Sequence, residues 1–322
     1  MRILLHIHAY PPKHNCGAEY FAHRINKYLV EQGHEVRVML GNRPGDEVEY
    51  EIDGVIVFGM GNSYGHWFNW AEVIITHLDY TKFTIKTIQY KPIVWYMHNT
   101  FDYPTVRSNP RVHIIYNSEA AREQIRYPNP STFTFTPPVD MPNVCKTPEK
   151  NKYVTLINLN ESKGGKVLAE IARKMPNIQF MGVIGSYGHQ EVNQPPNVKI
   201  HPNTANIQEV YDQTKILIMP SDYESWGMTA TEAMQNGIPV IANPTFGLKE
   251  NLGEAGIFVE RKNIDGWVES INRLQGKKEY TEASKAARKR GDELRPHKKL
   301  TEFEVFLHKI TNKPLPQKKE YE

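Results

Sequence analysis

An α/β fold with two doubly wound, Rossmann-like domains is the fold class that the sequence predicts, and three observations support it. Apolar runs of strand length alternate with helical patterns along the 322-residue chain, as expected for βαβ units stacked on parallel sheets. The alternation stops once, over residues 137–150, where four prolines interrupt the periodicity. The length suits two domains of ordinary size or one large α/β unit. We therefore expect domains over residues 1–145 and 146–296, then a C-terminal helix and basic tail over 297–322, for which a return to the first domain is one option.

The first half of the chain has a regular series of predicted strands with helices between them. Apolar spacing after the first strand predicts a helix from about Gly17 to Gln32, and Gly33 supplies the left-handed residue that ends it. Two further helices are expected over about 80–90 and from the N-cap Ser118 to about Arg126. The strands are predicted near 2–8, 35–40, 52–58, 72–76, 92–97, 112–116 and 132–136.

The second half restarts the same alternation after the proline-rich stretch. Helices are predicted over 164–174, 206–213 and 228–236, with a helical stretch from 264. Strands are predicted near 153–158, 178–184, 197–200, 215–219 and 238–242. Ligands of such folds bind outside the carboxyl ends of the strands. Two domains of this kind are therefore expected to face each other across a cleft that holds the site.

Composition narrows the class of protein without naming a function. No run of 18 apolar residues occurs, so the sequence predicts no transmembrane segment, and the first residues resemble a buried strand more than a signal peptide. Cys16 and Cys145 lie far apart and form no CxxC pair, which favours neither a zinc site nor a disulfide framework. A reducing, cytoplasmic setting is the expectation. The formal charge of +3 is mild, and its basic excess lies at the C-terminus.

The most informative stretch runs from Ile216 to Met234. A buried strand ends at Pro220, a short loop containing Glu224 and Gly227 follows, and a helix then begins near Met228. The free N–H groups of a helix start and the positive end of its dipole favour a phosphate. Two carboxylates beside such a start can accept hydrogen bonds from sugar or ribose hydroxyls. Taken alone, the pattern also fits an ordinary strand–loop–helix connection.

The residues of this stretch resemble a known motif. Glu224 and Glu232 are separated by seven residues, and the surrounding Pro-Ser-x-Tyr-Glu-Ser-Trp-Gly…Glu-Ala-Met is similar to the donor-site motif of retaining glycosyltransferases of family 4, which have the GT-B fold. The resemblance implies that Glu224 lies beside the transferred sugar and that Glu232 grips the nucleotide ribose. It also implies that the backbone of Trp226, Gly227, Met228 and Thr229 binds sugar and diphosphate.

Further matches occur in family order along most of the chain. Gly17 lies in a segment that resembles the glycine-bearing loop near the donor diphosphate, although Cys16 replaces one of the usual two glycines. His98 corresponds to a histidine near the donor sugar, and Lys163 to a cation at the diphosphate. Asn158 stands where many members have an arginine, so it can donate a hydrogen bond but cannot neutralise charge. Gly185 follows a strand end where the family contacts the base, and an ordinary turn explains it equally well.

The resemblance implies a reaction as well as a site. A hexose would pass from a nucleoside-diphosphate sugar, with UDP-glucose as the first expectation, to an acceptor hydroxyl with retention of anomeric configuration. Glu224, His98 and Lys163 would be the catalytic residues. No Asp-x-Asp occurs in the sequence, so we expect neither a metal-bridged diphosphate nor a cofactor beyond the nucleotide-sugar co-substrate.

The acceptor is less determined than the donor. Tyr64, His66, Trp67 and Trp70 concentrate aromatic side chains before a predicted strand. They fit either a hydrophobic plug beneath the sheet edge or a stacking surface for a sugar ring or nucleobase. A saccharide or lipid-linked glycan is the first expectation, and a hydroxymethylated base in DNA, reached by base flipping, is the alternative. A non-catalytic module that binds nucleotide sugars is a third hypothesis, because the arginine is missing.

Overall fold

The chain divides into two units in the computed structural model. One unit contains Met1–Pro138 together with the C-terminal segment from Pro296, and the other contains Val139–Arg295. The structure describes residues 1–314 except 15, 42–48, 62–63, 79, 102, 105, 108, 126 and 130. The basic tail from 315 onward and Asn15 of the predicted glycine-bearing loop therefore lie outside the described residues.

The first unit has an eight-stranded sheet among the described residues, in the order β3-β4-β2-β1-β5-β6-β7-β8. All neighbouring strands are parallel except β3, which pairs antiparallel with β4. The strands are β1 (Arg2–Ile7), β2 (Glu35–Leu40), β3 (Tyr50–Ile52), β4 (Val55–Gly59), β5 (Val73–His77), β6 (Ile93–Met97), β7 (Val112–Tyr116) and β8 (Thr132–Thr134). The helices between them are α1 (Gly17–Glu31), α2 (Tyr64–Trp70), α3 (Tyr80–Thr87) and α4 (Glu119–Gln124).

The second unit has a six-stranded parallel sheet, in the order β11-β10-β9-β12-β13-β14. Its strands are β9 (Tyr153–Ile157), β10 (Phe180–Val183), β11 (Val198–His201), β12 (Thr214–Met219), β13 (Val240–Ala242) and β14 (Ile257–Phe258). Its helices are α5 (Gly165–Lys174), α6 (Gln208–Tyr211), α7 (Met228–Gln235), α8 (Phe246–Leu252), α9 (Ile264–Arg273) and α10 (Lys277–Glu293). The last helix of the chain, α11 (His297–Thr311), belongs to the first unit.

Helix α11 returns to the first unit because its apolar side chains complete that unit's core. Phe303 is fully buried and its ring stacks on Phe135 at 5.3 Å between centroids, in the same cluster as Leu307 and the strand residues Leu5 and Val38. The units divide after Pro138, earlier than the boundary predicted after residue 145. Val139 and Met141 are buried in the core of the second unit, which draws this part of the proline-rich stretch into it.

Four local features of the structure differ from the sequence expectations. The single strand predicted over 52–58 is a β3–β4 hairpin, turned by Asp53 and Gly54, whose φ angles of 50° and 75° are both left-handed. The aromatic segment before β5, for which the sequence predicts no helix, forms helix α2. Helix α8 and strand β14 were not predicted. Among the described residues, no helix is both long and apolar enough to cross a membrane.

Candidate functional site

Lys163 is held by a tight turn at the carboxyl end of β9. The side chain of Asn160 accepts from the Lys163 amide at 2.8 Å, which caps a short 3₁₀ turn over Glu161–Lys163. Gly164 then takes a left-handed φ of 106°, and a Cβ there would lie 2.3 Å from Pro220. Only glycine fits this position without strain, and it lets α5 start directly behind the lysine. The turn therefore aims the Lys163 ammonium at the end of strand β12.

Lys163 and Glu224 form an ion pair across two strand ends. Lys163 Nζ lies 2.5 Å from Glu224 Oε1, and Ser221 Oγ donates to the same oxygen at 3.0 Å. Burial lowers the pKa of Lys163, but the charge and hydrogen bond of Glu224 outweigh it, so the pKa is raised above the ordinary 10.5. The lysine is therefore a permanent cation at neutral pH beside a carboxylate. Both residues were predicted from sequence, and the structure brings them together.

Helix α7 begins directly after Gly227, at a position that only glycine can occupy. Gly227 has a left-handed φ of 87°, and a Cβ there would meet Leu248 at 2.7 Å. Met228 and Thr229 form the first turn and are partly exposed, so their amides lie at an accessible helix start. Trp226 has a different place from its neighbours. Its indole is buried and donates to Thr231 Oγ1 at 3.2 Å, so the side chain anchors the loop.

Glu232 lies in the second turn of α7 and is buried. The hydroxyl of Tyr211, itself fully buried, donates to Glu232 Oε2 at 2.8 Å. This contact fixes the rotamer of a carboxylate that a helix position alone would leave free to turn. Tyr211 was missed by sequence reasoning, because it precedes its partner by 21 residues and ends a short helix without a motif.

Asn158 and Gly185 form a second small cluster, at the ends of β9 and β10. Asn158 has a left-handed φ of 73°, and its side-chain oxygen accepts from Gln190 Nε2 at 3.2 Å. Gln190 in turn accepts from the Gly185 amide at 2.9 Å. A Cβ at Gly185 would lie 2.3 Å from Asn158 Cγ, so the glycine makes room for the asparagine side chain. The structure thus joins two residues that the sequence predicted separately.

Arg261 ties the two loops of the site together, and sequence reasoning missed it. It follows β14 and its guanidinium donates to the carbonyls of Glu161 and Ser162, at 2.6 and 3.2 Å. The same group pairs with Asp222 at 2.6 Å. Its position holds the Lys163 turn against the loop that carries Glu224. No local motif marks it, because its partners lie about 40 and 100 residues earlier.

In the first unit, the predicted His98 belongs to a cluster at the carboxyl ends of β1, β5 and β6. His77 and His98 pack edge to face at 4.6 Å, and His8 stacks on His77 at 5.4 Å. His8 Nε2 lies 2.9 Å from Glu19, in the first turn of the helix that starts at Gly17. Burial lowers the pKa of His98 to about 4, so the ring is neutral at physiological pH.

This cluster lies where the strand order of the first sheet reverses, which is where open α/β sheets bind ligands. The chain leaves β1 for β2 on one side, and β5 pairs with β1 on the other. Sequence reasoning singled out only Gly17 and His98 of this group. His8, His77 and Glu19 were missed because each looks like an ordinary strand-end or helix residue.

The predicted aromatic segment folds as α2 with two different faces. Phe68 is buried in the core, and Arg37 lies over the rings of Trp67 and Trp70 at 4.6 and 5.3 Å. Tyr64 and His66 are exposed. The two tryptophans are thus half-buried beneath a cation, which matches the hydrophobic-plug interpretation better than an open stacking surface.

Residues 143–290 match the family model described as Glycosyl transferases group 1. A D-inositol 3-phosphate glycosyltransferase from Mycobacterium sp. (strain KMS) is 23% identical over 180 residues, which cover 50% of this chain and 41% of that relative. An uncharacterized glycosyltransferase from Methanocaldococcus jannaschii is 32% identical over 74 residues, covering 22% and 19%. The chain thus spans less than half the length of these curated relatives.

Solved structures resemble the chain over almost its whole length. A sucrose-phosphate synthase from Thermosynechococcus elongatus has a TM-score of 0.78 at 14% identity, covering 96% of this chain and 98% of that one. The Anabaena protein HepE, in complex with UDP and glucose, has a TM-score of 0.75 at 14% identity, covering 95% and 99%. The fold is therefore GT-B, with two parallel-sheet Rossmann-like domains.

Proposed function

We propose that this chain, whose residues 143–290 match the group 1 glycosyltransferase family, is a retaining hexosyltransferase that uses a nucleoside-diphosphate sugar. The acceptor that we propose is a hydroxyl of a saccharide or of a lipid-linked glycan. The observation that supports this most is the Lys163–Glu224 pair beside the start of α7, with Glu232 held one turn further along the helix.

The charges of this site suit a diphosphate that leaves with the nucleotide. The ammonium of Lys163 and the amides of Met228 and Thr229 lie at two strand ends of one sheet. Preorganised donors of this kind stabilise the negative charge that develops on a leaving phosphate. Because Asn158 brings no charge, Lys163 and the helix start would do most of this work, with no metal ion required.

The carboxylates of Glu224 and Glu232 would each bind a different part of the donor. Glu224 faces the lysine and the loop, where it can hold hydroxyls of the transferred sugar. Glu232, fixed by Tyr211, would accept from ribose hydroxyls. With the donor so held, the acceptor hydroxyl would attack the anomeric carbon on the face that the diphosphate leaves, and a phosphate oxygen would take its proton. The bond from the anomeric carbon to the phosphate oxygen breaks, and retention follows.

In this proposal His98 acts as a neutral hydrogen-bonding group near the donor sugar. Its pKa of about 4 makes it unsuited to neutralising phosphate at physiological pH. The proposal gives UDP-glucose as the first donor to test, since HepE was also solved in complex with UDP-glucose.

A DNA base is not carried forward as the acceptor. The sequence features that favoured it are the aromatic segment and the basic tail. Trp67 and Trp70 are half-buried with Arg37 over their rings, which leaves little open face for a flipped base. The tail from residue 315 lies outside the described residues.

The proposal is tested by incubating the purified full chain with a panel of nucleotide sugars and following release of the nucleoside diphosphate. We expect turnover, by transfer or slow hydrolysis, with at least one hexose donor. Glu224→Ala should abolish it, whereas Glu269→Ala, which changes an exposed glutamate on α9, should leave it unchanged. Donor binding without turnover would favour the non-catalytic module, and equal turnover by both variants would contradict the assigned site.

A further inference from the structure

A buried group of two histidines and one glutamate lies in the first unit and contains none of the residues assigned to the donor site. His34, Glu304 and His308 each offer one ligand atom, and these atoms all lie within 4.8 Å of one another. The three residues are 7%, 6% and 5% exposed. His34 lies in the turn between α1 and β2, and the other two lie one turn apart on α11. The group therefore joins the C-terminal helix to the N-terminal half of the unit.

His308 is the unusual member of the group. Neither of its ring nitrogens has a hydrogen-bond partner among the described residues, although the side chain is buried. Leaving a buried polar group without a partner is unfavourable, and such groups are rare in folded proteins. Its ring centroid lies 5.6 Å from that of His34, and one nitrogen of each ring lies within 4.8 Å of a carboxylate oxygen of Glu304. The His308 imidazole thus offers a nitrogen that could bind a metal ion and that has no other partner among the described residues.

The other two members are already oriented by neighbours. His34 Nε2 lies 3.1 Å from Glu304 Oε1, and the second oxygen of Glu304 accepts from the hydroxyl of Tyr28 at 3.1 Å. The other ring nitrogen of His34 lies 2.9 Å from the amino group of Met1. The Tyr28 hydroxyl thus fixes the Glu304 carboxylate by an outer hydrogen bond, as is usual for carboxylates that bind metals. A hydrogen-bonded histidine–glutamate pair alone explains these contacts but leaves His308 unexplained.

We propose that His34, Glu304 and His308 bind a zinc-like divalent cation that fastens helix α11 to the first unit. Two imidazoles and one carboxylate are ligands that Zn²⁺ accepts, with a fourth position left to a small ligand such as water. In a tetrahedral site the ligand atoms stand roughly 3.3 Å apart. The His34–Glu304 distance of 3.1 Å is close to this value, and the His308 nitrogen, which lies within 4.8 Å of both, would move closer when the ion binds. The role of this ion would be structural, and it does not depend on the proposed transferase activity.

The test uses the full chain, stripped with EDTA, dialysed and titrated with Zn²⁺ by calorimetry. We expect one tight site per chain, together with a rise in melting temperature when Zn²⁺ is present. Co²⁺ should give the visible absorption bands of a tetrahedral site. Failure of the wild-type protein to take up one equivalent of either ion tightly would overturn the proposal, whatever the variants do.

Variants then assign the ion to these residues. His308→Gln should remove the tight site and the cobalt bands, and Tyr28→Phe should weaken Zn²⁺ binding about tenfold through loss of the outer hydrogen bond. His297→Gln, which changes an exposed histidine on the same helix, should leave binding unchanged. Tight binding by His308→Gln equal to that of the wild type would overturn the proposal. Circular dichroism confirms that each variant is folded.

Discussion

At the scale of the residue, Glu232 illustrates why a motif predicts a functional side chain but not the neighbouring side chain that orients it. The spacing of Glu224 and Glu232 is readable in a short stretch of sequence. The hydroxyl of Tyr211, which orients the second carboxylate, comes from another helix. Pairings of this kind depend on how α6 and α7 pack, and a single sequence contains no signal for them.

Tyr211→Phe tests that support. Removing one hydrogen bond to a charged group costs about 1.5–3 kcal/mol. We expect the KM for the nucleotide sugar to rise about ten- to a hundredfold, while kcat changes little, because the contact is made equally before and during reaction. Steady-state kinetics measures this. Tyr280→Phe is the matched control: its buried hydroxyl donates to the Lys215 carbonyl, away from the site, so KM should not change.

The Lys163–Glu224 pair predicts a pH dependence. Glu224 raises the pKa of Lys163 above 10.5 against the opposing effect of burial, so the cation persists as pH rises. In Glu224→Gln the main opposition to burial is removed, with only the weaker effects of Tyr187 and Tyr223 left, so the pKa of Lys163 should fall. UDP affinity, which needs the cation, should then decline at lower pH in the variant than in the wild type. Calorimetric titration with UDP from about pH 7 to 10 measures it; coincident pH profiles would contradict the assignment of Lys163 to the diphosphate.

At the scale of the element, Arg261 shows how a residue after one strand positions the loops of two others. Its contacts with the Glu161 and Ser162 carbonyls and with Asp222 span the ends of β9, β12 and β14. These strands are parallel neighbours or near neighbours in one sheet, so their carboxyl ends meet at one edge. The sequence predicted the edge but could not indicate which cation would bridge its loops.

Arg261→Ala should release the Lys163 turn from the Glu224 loop. We expect kcat/KM to fall about ten- to a hundredfold, equivalent to about 1.4–2.8 kcal/mol, with Arg261→Lys recovering only part of the loss. Lys262→Ala, at the exposed neighbouring position, should behave as the wild type. A loss in Arg261→Ala that is confined to thermal stability, with kinetic constants unchanged, would show that the arginine does not position the site.

The elements that the sequence missed have physical reasons. The β3–β4 hairpin departs from the single predicted strand because Asp53 and Gly54 form a two-residue turn inside the predicted strand. Helix α2 is short and rich in aromatic residues, which have modest helix propensity, so its tertiary contacts decide its form. Most other strands agree with their predicted positions because buried parallel strands are continuous apolar runs.

At the scale of the whole molecule, the two-domain GT-B fold was predictable, and the path of the C-terminal helix was only an option. Periodicity identifies an apolar stripe on α11 but does not say which core receives it. In the structure the core of the first unit receives it: Phe303 packs on Phe135 and belongs to the same cluster as residues of β1 and β2.

Phe303→Ala should therefore destabilise the first unit. Truncating a fully buried phenylalanine costs about 3–5 kcal/mol of the free energy of unfolding. Val305→Ala, two positions along the same helix and exposed, should cost less than about 0.5 kcal/mol. Denaturant unfolding followed by fluorescence measures both. Equal stability of the two variants would mean that α11 does not contribute to the core of the first unit.

The central claim is that the site built from Lys163, Glu224 and Glu232 binds a nucleotide sugar, and calorimetric titration of the full chain with UDP-glucose and related donors tests it most directly. We predict one binding site per chain for at least one donor, strongly weakened in both Glu224→Ala and Glu232→Ala and unchanged in Glu269→Ala. Failure to bind any nucleoside-diphosphate sugar, or binding that both site variants leave intact, would contradict the account.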